Sequence, residues 1–145
     1  MTTYNNPRCA VLGYGSWATA IVKTLTVNHH HVDWLVLNDE ILQSLHDRSR
    51  NSKYLPWCYI DKEFMTPSND INAVVRDADM VFLAMPSAFL QKFLKPLTES
   101  LENKIVVSAV KGIIPGDYLT IVEHMNRYYD VPMENLAVVT GPSHA

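Results

Sequence analysis

Cys9-Ala10-Val11-Leu12-Gly13-Tyr14-Gly15-Ser16-Trp17-Ala18 is the stretch that decides the fold of this chain. A short apolar run enters a turn with two glycines, and Trp17, Ile21, Val22 and Leu25 then recur at helical spacing as far as Asn28. The reading is strand, tight turn, helix. Between strand and helix the pattern G-x-G-x-x-A is a dinucleotide fingerprint. Gly13 permits the turn, Gly15 lets backbone approach a pyrophosphate, and Ala18 allows the helix to pack closely. An anion placed there is held by free amide protons and the positive end of the helix dipole, so no basic side chain is required.

Outward from this unit, apolar runs alternate with helix-like stretches. His29 to His31 form a polar connector. A metal reading of these histidines is disfavoured, because adjacent residues in an extended segment point in different directions and no further Cys or His stands at ligand spacing. Val32 to Leu37 is the next strand and Asp39 to His46 the next helix, followed by a long loop from Arg48 to Pro67 with a short strand near Phe64. Asp70 caps a short helix through Val75, and Met80 to Met85 reads as a strand buried on both faces and bounded by Pro86. Ser87 is the expected N-cap of a helix carrying Leu90, Phe93, Leu94, Leu97 and Leu101, which Pro96 interrupts near Phe93 to Lys95. Ile105 to Val110 is a further strand, Asp117 to Tyr129 a helix, and Leu136 to Thr140 the last strand before Gly141-Pro142. The pattern predicts an α/β Rossmann-type, doubly wound sheet of five or six mostly parallel strands with helices on both faces. One domain spans residues 1–145.

Composition narrows the function. Fifteen Asp and Glu against twelve Lys and Arg give a net charge of −3, with no basic cluster of the kind that neutralises nucleic-acid phosphates. No apolar run reaches the roughly eighteen residues of a membrane span, and MTTYNNPRC lacks the features of a signal peptide, so the chain reads as cytoplasmic. Cys9 and Cys58 are too few for a disulfide framework and read as free thiols.

Further candidates lie where ligands gather in such sheets, at the carboxyl ends of strands. Leu37-Asn38-Asp39 ends the second strand, where an acidic residue prefers a free ribose 2′-hydroxyl and an arginine accepts a 2′-phosphate. Asn38 can hydrogen-bond a ribose hydroxyl and Asp39 repels a phosphate, which favours NAD with NADP as the alternative. Pro86-Ser87 and Lys111-Gly112 follow two other strands, each also readable as a structural turn or a solvated surface group. Gly141 and Ser143 can present donors to a small oxygen-rich ligand, whereas His144 reads as a packing or capping residue.

Taken together, GYGSWATAI at 13–21, YLP at 54–56, PS at 86–87, KG at 111–112 and GPSHA at 141–145 resemble the bacterial NAD(P)-dependent glycerol-3-phosphate dehydrogenases. The resemblance covers essentially the whole chain, which is similar to that family's N-terminal cofactor domain. It implies that Ser16 and Trp17 contact the dinucleotide, that Tyr54 lies beside it, and that Ala145 lines its nicotinamide end. Lys111 would touch cofactor and substrate, with Gly141 and Ser143 nearer the substrate. Leu37 stands where the family often has a basic residue beside the adenosine 2′ region, a departure that weighs against NADP.

The implied activity is hydride transfer between sn-glycerol 3-phosphate and dihydroxyacetone phosphate for glycerophospholipid synthesis, in an enzyme for which a homodimer is the expected assembly. Family members continue into an all-helical domain that carries the catalytic lysine and the phosphate clamp. No catalytic acid or base is therefore expected within residues 1–145, and the chain alone is expected to bind NAD(H) without turnover. Two other readings compete. A β-hydroxyacid or ketopantoate-type reductase would share the cofactor domain, but the YLP and GPSHA motifs argue against it. A stand-alone NAD-sensing module would be removed by continuation of the open reading frame into helical sequence.

Overall fold

The computed structural model describes residues 6–140. Strands β1 (Cys9–Leu12), β2 (Val32–Leu35), β3 (Met65–Ser68), β4 (Met80–Leu83), β5 (Ile105–Ser108) and β6 (Leu136–Val138) form one sheet in the order β3-β2-β1-β4-β5-β6. Every pairing is parallel. The fold is therefore a Rossmann-type doubly wound sheet, wholly rather than mostly parallel among the described residues.

Central position explains the composition of β1. With Cys9 opposite Val32 on one side and Met80 on the other, the strand has neighbours at both edges and helices on both faces. All four of its residues are buried. Side chains alternate between the faces. Ala10 and Leu12 join Leu35, Val81, Leu83 and Val106 in a core under α3 (Ile71–Arg76), α4 (Ser87–Leu94) and α5 (Ile121–Tyr129). Cys9 and Val11 join Val32 and Trp34 in a second core under α1 (Ser16–Val27) and α2 (Asp39–Arg48). The chain winds outward from β1 to β3 and then returns to β4. This reversal opens a crevice above the carboxyl ends of β1 and β4.

Several boundaries differ from the sequence expectations for local physical reasons. The β2 ladder ends at Leu35, although Val36 N–H still donates to Ser68 O at 2.8 Å, and Leu37 turns outward. Pro86, not Ser87, caps α4, without a side-chain hydrogen bond. That helix stops at Leu94, ahead of Pro96, while Leu97 and Leu101 still pack on the same core. Helix α5 starts at Ile121 rather than near Asp117, because Ile113 and Thr120 first form an antiparallel bridge. A reciprocal capping box then sets the start: Glu123 N–H donates to Thr120 Oγ1 at 3.3 Å and Thr120 N–H to Glu123 Oε2 at 2.8 Å.

Both cysteines are free, and burial, followed by the nearby Asp79 carboxylate, pushes the Cys9 thiol up to about 11, so it serves as a small core hydrophobe. No helix among the described residues is long and apolar enough to cross a membrane.

On α5, His124 is buried between Tyr128 and Tyr129, its Nδ1 lying 3.3 Å from Asp117 Oδ2 but out of line for a hydrogen bond. Gln91 and Lys95 of the α4 segment line the same cleft. Burial lowers the imidazole pKa more than Asp117 raises it. The unfolded chain, with a histidine pKa near 6.5, then binds this proton more readily than the native state does, so stability falls as pH drops below about 6.5. Urea midpoints measured from pH 7.5 to 5.5 should decline with pH, and His124→Gln should flatten that decline. An unchanged slope in the variant would remove His124 from the acid response.

Candidate functional site

The site grows out of the turn between β1 and α1. Its carbonyls are each held by a buried side chain: Trp34 Nε1–H donates to Gly13 O at 2.6 Å, Asn51 Nδ2–H to Tyr14 O at 2.9 Å, and Thr19 Oγ1–H to Gly15 O at 2.8 Å. Trp34, Asn51 and Thr19 are all 0% exposed, so the three carbonyls point into the protein. The first amides of α1, on Ser16, Trp17 and Ala18, meet no acceptor among the described residues, and no side chain caps the helix. Unpaired N–H groups at the positive end of a twelve-residue helix are an anion site by construction.

The two glycines do different work. Gly13 has φ +124°, and a Cβ there would lie 2.2 Å from Ala84 O, so it is the backbone after β4 that excludes a side chain. Gly15 has φ −76°, and a Cβ there would meet nothing within 4 Å. Its missing side chain leaves open space directly before the free amides. Between them, the Tyr14 ring stacks on Phe93 of α4, with centroids 5.9 Å apart. The open space beside Gly15 and the free amides that follow it suit the diphosphate of a dinucleotide.

The other sequence candidates within the described residues lie at or beside the same edge of the sheet. Ser16 and Trp17 open α1 and are exposed, Trp17 by 45%. Asn38 ends the β2 segment as the N-cap of α2, where its Oδ1 accepts from Ile41 N–H at 3.0 Å and its amide group remains as the donor. Tyr54 stands exposed on a loop whose backbone is tied to Asn51. Pro86 opens α4. Lys111 is exposed just beyond β5, and a Cβ on Gly112 would lie 3.6 Å from Ser87 Oγ, which places the KG and PS turns side by side. Gly141, Ser143, His144 and Ala145 lie outside the described residues.

Three side chains of this arrangement escape sequence reading. Trp34 looks like an ordinary core residue of a strand, and Asn51 like an ordinary loop asparagine. Thr19 alone carries a local signal, standing four residues after Gly15 in the helix, where a hydroxyl reaches back to a carbonyl.

The family described as NAD-dependent glycerol-3-phosphate dehydrogenase N-terminus matches residues 8–145. A glycerol-3-phosphate dehydrogenase (NAD(P)+) of Leuconostoc citreum is 32% identical over 146 residues, covering 95% of this chain and 42% of the relative. One from Pseudomonas savastanoi pv. phaseolicola is 32% identical over 136 residues, with coverages of 94% and 39%. The chain thus spans about two fifths of the length of these curated relatives. Among solved structures, glycerol-3-phosphate dehydrogenase from Coxiella burnetii superposes with TM-score 0.79 at 24% identity, over 96% of this chain and 42% of that one. The Plasmodium falciparum enzyme gives 0.81 at 19%, over 94% and 41%. At these identities the likeness is one of fold.

The contrast between the glycines is measurable as stability. Gly13→Ala forces a Cβ into backbone at positive φ and should cost about 2–4 kcal/mol. Gly15→Ala meets no neighbour and should cost at most about 1 kcal/mol, through the poorer N-cap. Urea denaturation of the two variants checks this, and equal losses would contradict the division of roles.

Proposed function

Because the chain belongs to the family of NAD-dependent glycerol-3-phosphate dehydrogenase N-termini, we propose that it is the dinucleotide-binding unit of an enzyme interconverting sn-glycerol 3-phosphate and dihydroxyacetone phosphate in the cytoplasm. The observation that carries the reading is the row of free amides on Ser16, Trp17 and Ala18 beside the open space at Gly15. Those donors take the diphosphate. Asn38 offers its amide to the adenosine ribose, Trp17 and Tyr54 supply flat apolar surface on either side, and Pro86 borders the crevice at the end of β4.

NAD(H), when bound, supplies the hydride that is exchanged with C2 of the substrate. The Lys111 ammonium stands at the carboxyl edge, where it stabilises negative charge developing on the substrate oxygen. Gly141 and Ser143 contribute donors to the same substrate, and Ala145 borders the nicotinamide end. The acid that protonates that oxygen belongs to the helical portion of such an enzyme, so the domain organisation implied is a cofactor domain completed by a second, catalytic one.

Leu37, Asp39 and Glu40 cluster where a 2′-phosphate would sit, and Lys53, the basic residue beside them, is paired with Glu40 at 2.7 Å. This balance favours NAD over NADP. Calorimetric titration should show NADH binding the chain more tightly than NADPH, and Leu37→Arg should narrow or invert that preference. Absence of NADH binding at millimolar concentration would defeat the dinucleotide reading.

The substrate assignment has a separate test. In an enzyme comprising this chain and its catalytic domain, Lys111→Ala should reduce turnover of dihydroxyacetone phosphate by about 100-fold or more, while an exposed lysine costs little stability. Wild-type turnover in the variant would leave Lys111 a surface residue.

A further inference from the structure

Asn51 is the only point at which the loop bearing Tyr54 is joined by a side-chain hydrogen bond, among the described residues, to the turn that bears the free amides. It is fully buried within an irregular segment whose next three residues, Ser52, Lys53 and Tyr54, are exposed. Its carboxamide makes every hydrogen bond it can. Nδ2 donates to Tyr14 O and to Thr19 Oγ1, both at 2.9 Å, while Oδ1 accepts from Lys53 N–H at 3.2 Å and Tyr54 N–H at 3.0 Å. Thr19, having accepted one of these bonds, donates its own hydroxyl proton to Gly15 O at 2.8 Å. The Tyr14 peptide plane is therefore oriented directly by a residue 37 positions away in sequence, and through Thr19 the same residue supports a second bond to Gly15 O, which also accepts the Thr19 backbone N–H at 2.9 Å.

The chemistry of the position is restrictive. Two donors must face the turn and one acceptor must face the loop backbone. Ionised aspartate offers no donor and would set a carboxylate against Tyr14 O. Serine cannot reach both sides, and glutamine is one methylene too long for a site without space. An asparagine serving only to close its own loop needs the Oδ1 bonds to Lys53 and Tyr54 alone. The Nδ2 bonds serve the turn.

We propose that Asn51 is a positioning residue for dinucleotide binding: it turns the Tyr14 carbonyl inward and, through Thr19, reinforces the inward Gly15 carbonyl, so that the adjoining amides face the diphosphate, and it sets Tyr54 against the same ligand. This inference rests on the dinucleotide reading of the site and names the device that holds its two halves in register. Asn51 touches no ligand itself and acts through the backbone of residues 14–16 and 53–54.

The test uses ADP-ribose, which carries the diphosphate and is stable across the pH range needed. Binding to the whole chain is followed by calorimetry, with circular dichroism reporting the folded fraction at each pH. Asn51→Asp should bind about ten-fold or more weakly than wild type at pH 8, the result of replacing a buried donor pair by acceptors. Burial and the acceptor oxygens of Tyr14 and Thr19 raise the pKa of the introduced carboxyl from about 3.9, opposed by the Lys53 and Tyr54 N–H groups that face its other oxygen. The charged groups beside it, Lys53 and Glu40, are paired with each other. Once protonated, the introduced carboxylic acid regains one donor for Tyr14 O, so affinity should recover to within about three-fold of wild type near pH 5.5.

A purely structural role predicts no such recovery in folded protein. Equal affinity of variant and wild type at both pH values, or an equal loss at both, overturns the proposal. Should Asn51→Asp fail to fold, Thr19→Val replaces it: removal of the relay should weaken ADP-ribose about three-fold or more at either pH, and unchanged affinity overturns the proposal. Failure of the wild-type chain to bind ADP-ribose is a different result, which sinks the dinucleotide reading itself.

Discussion

The peptide carbonyls of Gly13, Tyr14 and Gly15 are drawn into the protein by Trp34, Asn51 and Thr19, and the site depends on that constraint. A tight turn between a strand and a helix has many ways to arrange its peptide planes. Only those with carbonyls inward leave the following amides free and collected on one side. Each anchor is buried, so releasing one costs more than a surface hydrogen bond would: the partner left behind is a polar group without water. The anchors also come from separate places: Trp34 from β2, Thr19 from α1 and Asn51 from the loop after α2. The turn is therefore as rigid as the packing of those elements.

That dependence runs back to the sheet. Trp34 reaches Gly13 because β2 lies beside β1 with Trp34 opposite Val11. The exclusion of a side chain from Gly13 depends on the other neighbour, since it is Ala84, at the end of β4, that would be struck. The turn is held between the strands flanking the central one, at the point where the winding reverses. A shift of register by one residue in either pairing would turn Trp34 to the opposite face or move Ala84 away, and the geometry of the turn would be lost with it.

Legibility in the sequence followed the range of the interaction. The β1–turn–α1 unit was readable because its signals are local: an apolar run, glycines at fixed offset, and helical spacing from Trp17 to Leu25. Asp70 as a cap and Pro96 as a stop were readable for the same reason. The capping box at Thr120 and Glu123 was equally local, yet it was obscured by an acidic residue upstream, Asp117, which offered a plausible earlier start. Trp34 and Asn51 were not legible at all. Their bonds to Gly13 and Tyr14 span 21 and 37 residues, and neither residue breaks the pattern of its own segment. A strand tryptophan predicts burial without saying where its N–H goes, and a loop asparagine predicts a turn without saying what lies behind it.

The same division explains how a chain of net charge −3 can hold a doubly charged group at the proposed site. An anion held by arginine or lysine depends on side-chain charge that salt screens and sequence change removes. An anion held by backbone amides depends on orientation, and its donors are present whatever residues occupy the positions of Ser16 and Trp17. The demand on sequence moves away from the residues that touch the ligand and onto those that aim the backbone. Gly13 and Gly15 satisfy it by what they lack, and Trp34, Thr19 and Asn51 by where they donate. In the proposed site, basic side chains are then left for other work, Lys111 toward the substrate and Lys53 in its pair with Glu40. On the proposed reading, selectivity between related dinucleotides is separated from affinity for what they share: the amides would grip the diphosphate common to both, while Leu37, Asp39 and Glu40 would meet the one group that differs.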